Sequence, residues 1–427
     1  MYTPVDVIEV RIWGERVGAV ALDPRLGYYV FEYEPAWMTR GIELAPLTMP
    51  LSRTPYVFTS LPEITYKRLP AMLADSLPDD FGNALIDAYL ATQGVTREAV
   101  TPLDRLAYMA SRGVGALEFR PARGPRHRKP SAVELSDLVG GSRQLLHGNL
   151  SGDREIEAAI LQLIQVGTSA GGARPKAVIA WNRETGEIRS GQLPADPGFE
   201  YWLLKLDGVG RDHELGTGSH YGRVEYAYYL MARAAGLAMM ESRLLEEHGR
   251  AHFMTRRFDR VGDEKLHVQS LCAMAHLDYK QRGTHDYNQY FQVIQQLQLG
   301  AGALEQGFRR MVFNVLAANC DDHSKNLAFI LDRHDGWRLS PDYDVTHAYN
   351  PKGQWTYQHL MSVNGKFRGI QMQDFLVVAD RFLVPRFREV IREVAAAVER
   401  WPEFAAAAGV PHAMAKSISA DFAAHSA

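Results

Sequence analysis

Cysteine is nearly missing: Cys272 and Cys320 are the only two in 427 residues. Two thiols are too few for a disulfide framework or a tetrahedral thiolate zinc site, so both are expected to be reduced and buried in a cytoplasmic protein. An excess of one charge sign is missing too, with 47 Lys and Arg against 50 Asp and Glu and a formal net charge of -3. Chains that grip nucleic acid over a broad surface carry a basic excess, so any DNA contact is expected to be local or delegated to a partner. No apolar run is long enough to cross a bilayer, and Met1-Tyr2-Thr3-Pro4-Val5-Asp6 has neither the basic nor the apolar region of a leader, which predicts an unexported chain with no membrane partner. No internal repeat is evident.

What is present is apolar mass: 46% of residues are hydrophobic and 23% charged, enough for more than one ordinary core. Two lobes are therefore expected. Alternation from Val5 to Trp13, a turn at Gly14-Glu15-Arg16 and a further run from Val17 to Leu22 predict a hairpin, and Tyr28 to Tyr33 a third strand. After a proline-rich loop, helical spacing covers 66–77, stops at Pro78-Asp79-Asp80-Phe81-Gly82 and resumes over 83–92. Strands first and helices after make a small α+β unit.

Pro121 to Pro130 gathers Arg123, Arg126, Arg128 and Lys129 among Pro and Gly. It reads as a solvated basic linker, with a phosphate-binding patch for DNA as the sharper alternative. An amphipathic helix over 156–166 then delivers Gly167-Thr168-Ser169-Ala170-Gly171-Gly172-Ala173-Arg174-Pro175-Lys176 before a strand over 177–181. This run is either a plain hairpin turn or a cradle whose backbone N–H groups meet phosphate oxygens, with Lys176 adding a point charge. It is not a Walker A loop, because Ala173 stands where that motif needs lysine. Lys205 lies in the apolar strand Tyr201 to Leu206, where a lysine either snorkels or is paired. Glu225, in a helical stretch beyond it, is a candidate partner or a surface acid of a first helical turn. His267 and Gln269 either face the site or cap a helix, with capping the preferred reading.

The most specific chemistry lies in Asn319-Cys320-Asp321-Asp322-His323-Ser324-Lys325-Asn326, between a helical run over 308–318 and the buried strand Leu327 to Leu331. Loops held by rigid flanks commonly carry functional groups. Phosphoryl transfer needs one carboxylate beside the attacking hydroxyl and further oxygen ligands for Mg²⁺. Asp321 or Asp322, then Asn326, then Asp344 of the later Tyr343-Asp344 supply that set. A solvated turn would account for any one of these residues, but it has no need of His323, Lys325 and Asn326 together.

This octet, followed by Ser340-Pro341-Asp342-Tyr343-Asp344, resembles the active-site pair of the HipA family, serine/threonine kinases that serve as toxins of bacterial toxin-antitoxin modules. Phe31-Glu32-Tyr33 with Trp37, Leu77 to Gly82 and Gly113 to Phe119 resemble its N-terminal subdomain, and Leu360 to Lys366 a further segment. The resemblance implies an α+β, two-lobed protein-kinase-like fold: an N-terminal subdomain over 1–120, a linker over 121–152, an ATP-binding lobe over 153–260 and a helical lobe over 261–427. It implies ATP and Mg²⁺ as cofactors, with Gly171, Gly172, Ala173, Arg174, Pro175, Lys176 and Lys205 at the phosphates. Arg256, Arg257 and Phe258 would stand at the adenine, although Arg256 replaces an often acidic residue of the family. Asp321 falls at the catalytic base, with Asp322 as its rival, and His323 and Lys325 complete the catalytic loop. His323, Asn326, Tyr343 and Asp344 would meet the nucleotide, and Asn326 and Asp344 would ligate the metal. Ser169 falls at the autophosphorylation site, where phosphate would add about two negative charges and expel the loop from the nucleotide. The implied partners are a protein substrate of the translation apparatus, such as an aminoacyl-tRNA synthetase, and a helix-turn-helix antitoxin, with DNA contacted only through the latter. A small-molecule phosphotransferase and a nucleotide-sensing corepressor are the alternatives.

Overall fold

A computed structural model describes residues 2–124, 142, 176–192, 194–208, 211–212, 216–217 and 219–426. Ser169, the glycine-rich residues 171–175, the helix expected over 156–166 and most of the basic loop lie outside these. The chain divides into two compact units: residues 1–210 with 256–269 and 331–333, and residues 211–255 with 270–330 and 334–427. The α+β class expected from the sequence is borne out.

The first unit opens with an antiparallel sheet in the order β3-β2-β1-β4, where β1 is Val7–Ile12, β2 Glu15–Asp23, β3 Tyr28–Tyr33 and β4 Leu117–Arg120. The turn joining β1 to β2 is Trp13-Gly14, both at positive φ (50° and 81°). Such a two-residue turn matches the right-handed twist of its strands. Trp13 is steadied there by its indole N–H, which donates to the Lys265 carbonyl at 2.7 Å. Ile8, Val10 and Ile12 point into the core of the unit, as the alternation requires.

The single helix expected over 66–77 is two short ones, Glu63–Tyr66 and Ala71–Ala74. Lys67 and Arg68 adopt left-handed φ values of 53° and 63°, and Pro70 cannot donate the N–H a continuing helix needs. The next helix, Asp80–Ala91, begins inside the expected break, because Asp79 caps it by accepting from the Gly82 N–H at 2.7 Å.

A second sheet of this unit joins β5 (Lys176–Asn182), β6 (Ile188–Ser190) and β7 (Phe199–Lys205), with β5 central. Its register sets Lys176 directly opposite Lys205. Cross-strand partners share a face.

In the second unit the helix Gly300–Leu316 ends at the left-handed Ala318, with φ 49°. The chain then runs through the 319–323 loop and a short helical turn, Ser324–Asn326, into the strand Ala328–Asp332. The polar octet is thus a helix-to-strand loop, as its flanks predict. The break expected near Pro385 separates the helices Met372–Phe382 and Phe387–Glu399. Among the described residues, no helix is long and apolar enough to cross a membrane.

Candidate active site

The two adjacent carboxylates of the octet face opposite environments. Asp322 is 1% exposed. Its Oδ1 accepts from the Leu360 N–H at 2.8 Å, and its Oδ2 from the Tyr287 hydroxyl at 3.0 Å and from His359 Nδ1 at 3.0 Å. Burial alone would push His359 down, but the Cys320 sulfur 3.8 Å from Nε2 and the Asp322 carboxylate carry it well above its ordinary value. Imidazole and carboxylate thus form a buried hydrogen-bonded pair. Asn314 donates to the Tyr287 hydroxyl at 2.8 Å and accepts from Asn319 at 2.9 Å, so the network reaches back into the preceding helix. A buried hydrogen-bond network of this kind restricts the conformations its members can adopt.

Asp321 points elsewhere: 38% of its side chain is exposed. Its Oδ1 accepts from the Trp355 indole at 2.7 Å and lies 3.6 Å from His323 Nε2. Among the described residues nothing donates to Oδ2. The surrounding protein desolvates this carboxyl and pushes it up, His323 and Trp355 partly offset the rise, and Asp344 and Asp322 add to it. A carboxylate raised in this way is a better proton acceptor.

Asn326 donates through Nδ2 to the Asp321 carbonyl at 2.8 Å, which leaves its Oδ1 without a partner among the described residues. Asp344 is left-handed, with φ 50°, and close enough to Asp321 to raise it. The pair offers one amide oxygen and one carboxylate: among the described residues no three His, Cys, Asp or Glu gather as metal ligands. This donor set fits Mg²⁺, which binds through few protein oxygens and completes its shell with phosphate and water.

Tyr343 sets the geometry of the set from behind, its hydroxyl donating to the Lys325 carbonyl at 2.8 Å while its own carbonyl accepts from Arg310 at 2.9 Å. The Lys325 ammonium sits over the Tyr279 ring at 5.6 Å, and that ring packs on His323 with centres 5.1 Å apart. The octet, Tyr343 and Asp344 are therefore brought together within one unit.

Of the other residues with expected roles, Lys176, Lys205, Arg256, Arg257, Phe258, His267 and Gln269 belong to the first unit. Lys205 and Lys176 are cross-strand neighbours, an arrangement of like charges that is unfavourable unless anions relieve it. Arg257 is not open to a ligand: its Nε and Nη2 bond the two oxygens of Asp259 at 2.8 and 2.7 Å, and Nη2 also reaches the Gly113 carbonyl at 3.3 Å. Arg256 is exposed and 3.6 Å from Glu200, and Phe258 is half-buried. Glu225 is buried within the helix Tyr221–Ala234 of the second unit and is no surface acid. His267 and Gln269 do not cap a helix. Both are buried on a strand, His267 bonds the Leu44 carbonyl at 3.0 Å, and it is Ser270 that caps the helix Leu271–Met274.

Three residues of the site carry no motif. Trp355, His359 and Tyr287 lie 34, 37 and 35 residues from the carboxylates they bond. Only the family-like segment beginning at Leu360 pointed near them.

Two family models match the chain: the HipA N-terminal domain over residues 8–120 and the HipA-like C-terminal domain over residues 168–401. The chain belongs to the HipA family. Among solved structures it is similar to the HipA of Shewanella oneidensis MR-1, determined with HipB and operator DNA. The TM-score is 0.67 at 16% identity, covering 98% of this chain and 95% of that one. At that identity the likeness establishes the HipA fold alone. The Helicobacter pylori proinflammatory kinase CtkA aligns at a TM-score of 0.37 and 12% identity over 60% of this chain and 91% of its own, too remote to bear on this one. Among curated proteins, no sequence matches significantly.

Proposed function

We propose that this HipA-family protein is an ATP- and Mg²⁺-dependent serine/threonine protein kinase acting as the toxin of a bacterial toxin-antitoxin module. The observation that carries the reading is the contrast between Asp322, saturated and sealed, and Asp321, raised and with one oxygen open. Asp321 is accordingly the base and Asp322 the anchor of its loop. Asp321 Oδ2 takes the proton of an acceptor Ser or Thr hydroxyl as that oxygen attacks the γ-phosphorus and the bond to the departing ADP oxygen breaks. Asn326 Oδ1 and the Asp344 carboxylate would hold Mg²⁺, whose charge would offset that of the phosphate oxygens. By resemblance to the family, Lys176 and Lys205 would meet phosphate charge of the nucleotide.

By resemblance to the family, the acceptor is a translation component such as an aminoacyl-tRNA synthetase, and Ser169 is the residue the chain phosphorylates on itself. A helix-turn-helix antitoxin is the proposed partner, and operator DNA would be reached through it. Incubation with Mg²⁺ and γ-labelled ATP should label Ser169, and the label should disappear in Asp321→Ala. No incorporation with any divalent metal would remove the enzyme from this reading.

The operator DNA in the Shewanella structure favours a corepressor role as a second reading. An Asp321→Ala variant that captures an operator-binding partner as well as the unaltered chain does would support it, and the two roles are compatible.

A further inference from the structure

The base reading leaves open what fixes the rotation of the Asp321 carboxyl group. Asp321 is the half-exposed member of the pair, on a loop, and its χ2 torsion is of the broad, roughly two-fold type that does not choose an orientation by itself. The one hydrogen bond to its carboxylate among the described residues comes from Trp355 Nε1, to Oδ1 at 2.7 Å. Charge-assisted bonds of that length are strong and directional. The indole is itself held. It packs against His323 with ring centres 6.3 Å apart and planes at 65°, and His323 packs in turn on Tyr279.

The loop that carries Trp355 is closed by Asn350 N–H donating to the Thr356 carbonyl at 3.2 Å and by Lys352 N–H donating to Asn350 Oδ1 at 3.0 Å. Arg282 donates to the carbonyl of Gln354, the residue just before the indole. A half-buried tryptophan whose single polar atom spends its bond on a half-exposed carboxylate, from a segment pinned on both sides, is built to set that carboxylate's direction.

We infer that Trp355 is the positioning residue of the phosphoryl-transfer step: its indole N–H anchors Oδ1 of Asp321 so that Oδ2 is presented to the acceptor hydroxyl. The proton goes to Oδ2 and the indole keeps its own throughout, so Trp355 is not itself a catalytic residue. This inference rests on Asp321 being the base. It also accounts for an aromatic directly after the polar run Asn350-Pro351-Lys352-Gly353-Gln354.

The test compares the unaltered chain, Asp321→Asn, Trp355→Phe and Trp355→His with Mg²⁺ and γ-labelled ATP, reading transfer to the chain itself and to casein. Trp355→Phe keeps the ring against His323 and removes the donor. It should lower kcat by about tenfold to a hundredfold, the scale on which misorientation of a reacting group acts, with KM for ATP and the melting temperature unchanged. Trp355→His restores an N–H and should recover part of the loss, which a purely structural role would not produce. The Trp355 indole ¹⁵N–H resonance, assigned by its disappearance in Trp355→Phe, should shift upfield in Asp321→Asn.

Undiminished transfer by Trp355→Phe beside a dead Asp321→Asn would overturn the role and leave the kinase reading standing. A faster Trp355→Phe would overturn it as well, since the indole would then be blocking the carboxylate. Absence of transfer by the unaltered chain would defeat the kinase reading and this role together.

Discussion

Each unit places an aspartate among cations and amides, with opposite electrostatic results. In the first, burial would push Asp259 up, but the guanidinium groups of Arg257 and Arg260 and the Gly115 N–H override it and hold the carboxyl well below its ordinary range. In the second, desolvation pushes Asp321 up, and His323 with one indole donor does not cancel the rise. Two full positive charges make Asp259 a permanent anion, suited to tying the Gly113-Val114-Gly115 turn to the 257–260 segment. One neutral donor and an open oxygen leave Asp321 able to take a proton. The number of cations in contact therefore separates the scaffold aspartate from the candidate reactive one.

The comparison can be broken most sharply at Asp321. Asp321→Ala should reduce labelled phosphate transfer by about 10²- to 10⁴-fold, the range a general base contributes, while thermal unfolding stays close to that of the unaltered chain. A comparable loss of transfer in Asp259→Ala at full stability would erase the distinction. Instead Asp259→Ala strands two buried guanidinium groups, and urea unfolding should show a loss of about 3–5 kcal/mol.

Acid titration sharpens the contrast. His267 and His276 are both pushed down to about 4, chiefly by burial. Between pH 6.5 and 4 the unfolded chain binds protons that the folded one refuses, so stability should fall as pH drops through that window, by about 3 kcal/mol for His267 if its whole shift is realised. The contribution of Asp259 is lost only below the ordinary carboxylate range. Unfolding free energies of His267→Gln across that window should therefore show a shallower slope. The smallest effect is expected of Asp322→Asn, which replaces an acceptor with a donor facing His359 or the Leu360 amide and should cost about 1–3 kcal/mol by thermal unfolding.

Much of this was legible in the chain, because local signals govern local structure. The alternation of β1, the helical spacing before Asn319 and the break at Pro385 all translate directly into elements. The octet was readable as a loop because apolar runs bound it on both sides. Where reading failed, a longer-range cause decided. Lys67 and Arg68 turn left-handed inside a run whose spacing looks helical. His267 turned out to be a strand residue bonded to Leu44, far away in sequence. The different surroundings of Asp321 and Asp322 could not be read from their own residues at all, since Trp355 on one side and His359 with Tyr287 on the other create them, and none of the three has a spacing that announces it.

The grip on Asp322 has one more consequence. Its bonds come from Tyr287 and from the His359-Leu360 stretch, and these same stretches join in parallel pairing of His285 with Met361 and Asp286 with Ser362. Three pieces of chain far apart in sequence thus meet on one buried anion, and none can fray without releasing the others. Amide deuterium uptake should report them as a single opening event, with the Leu360 and Cys320 N–H groups exchanging in step.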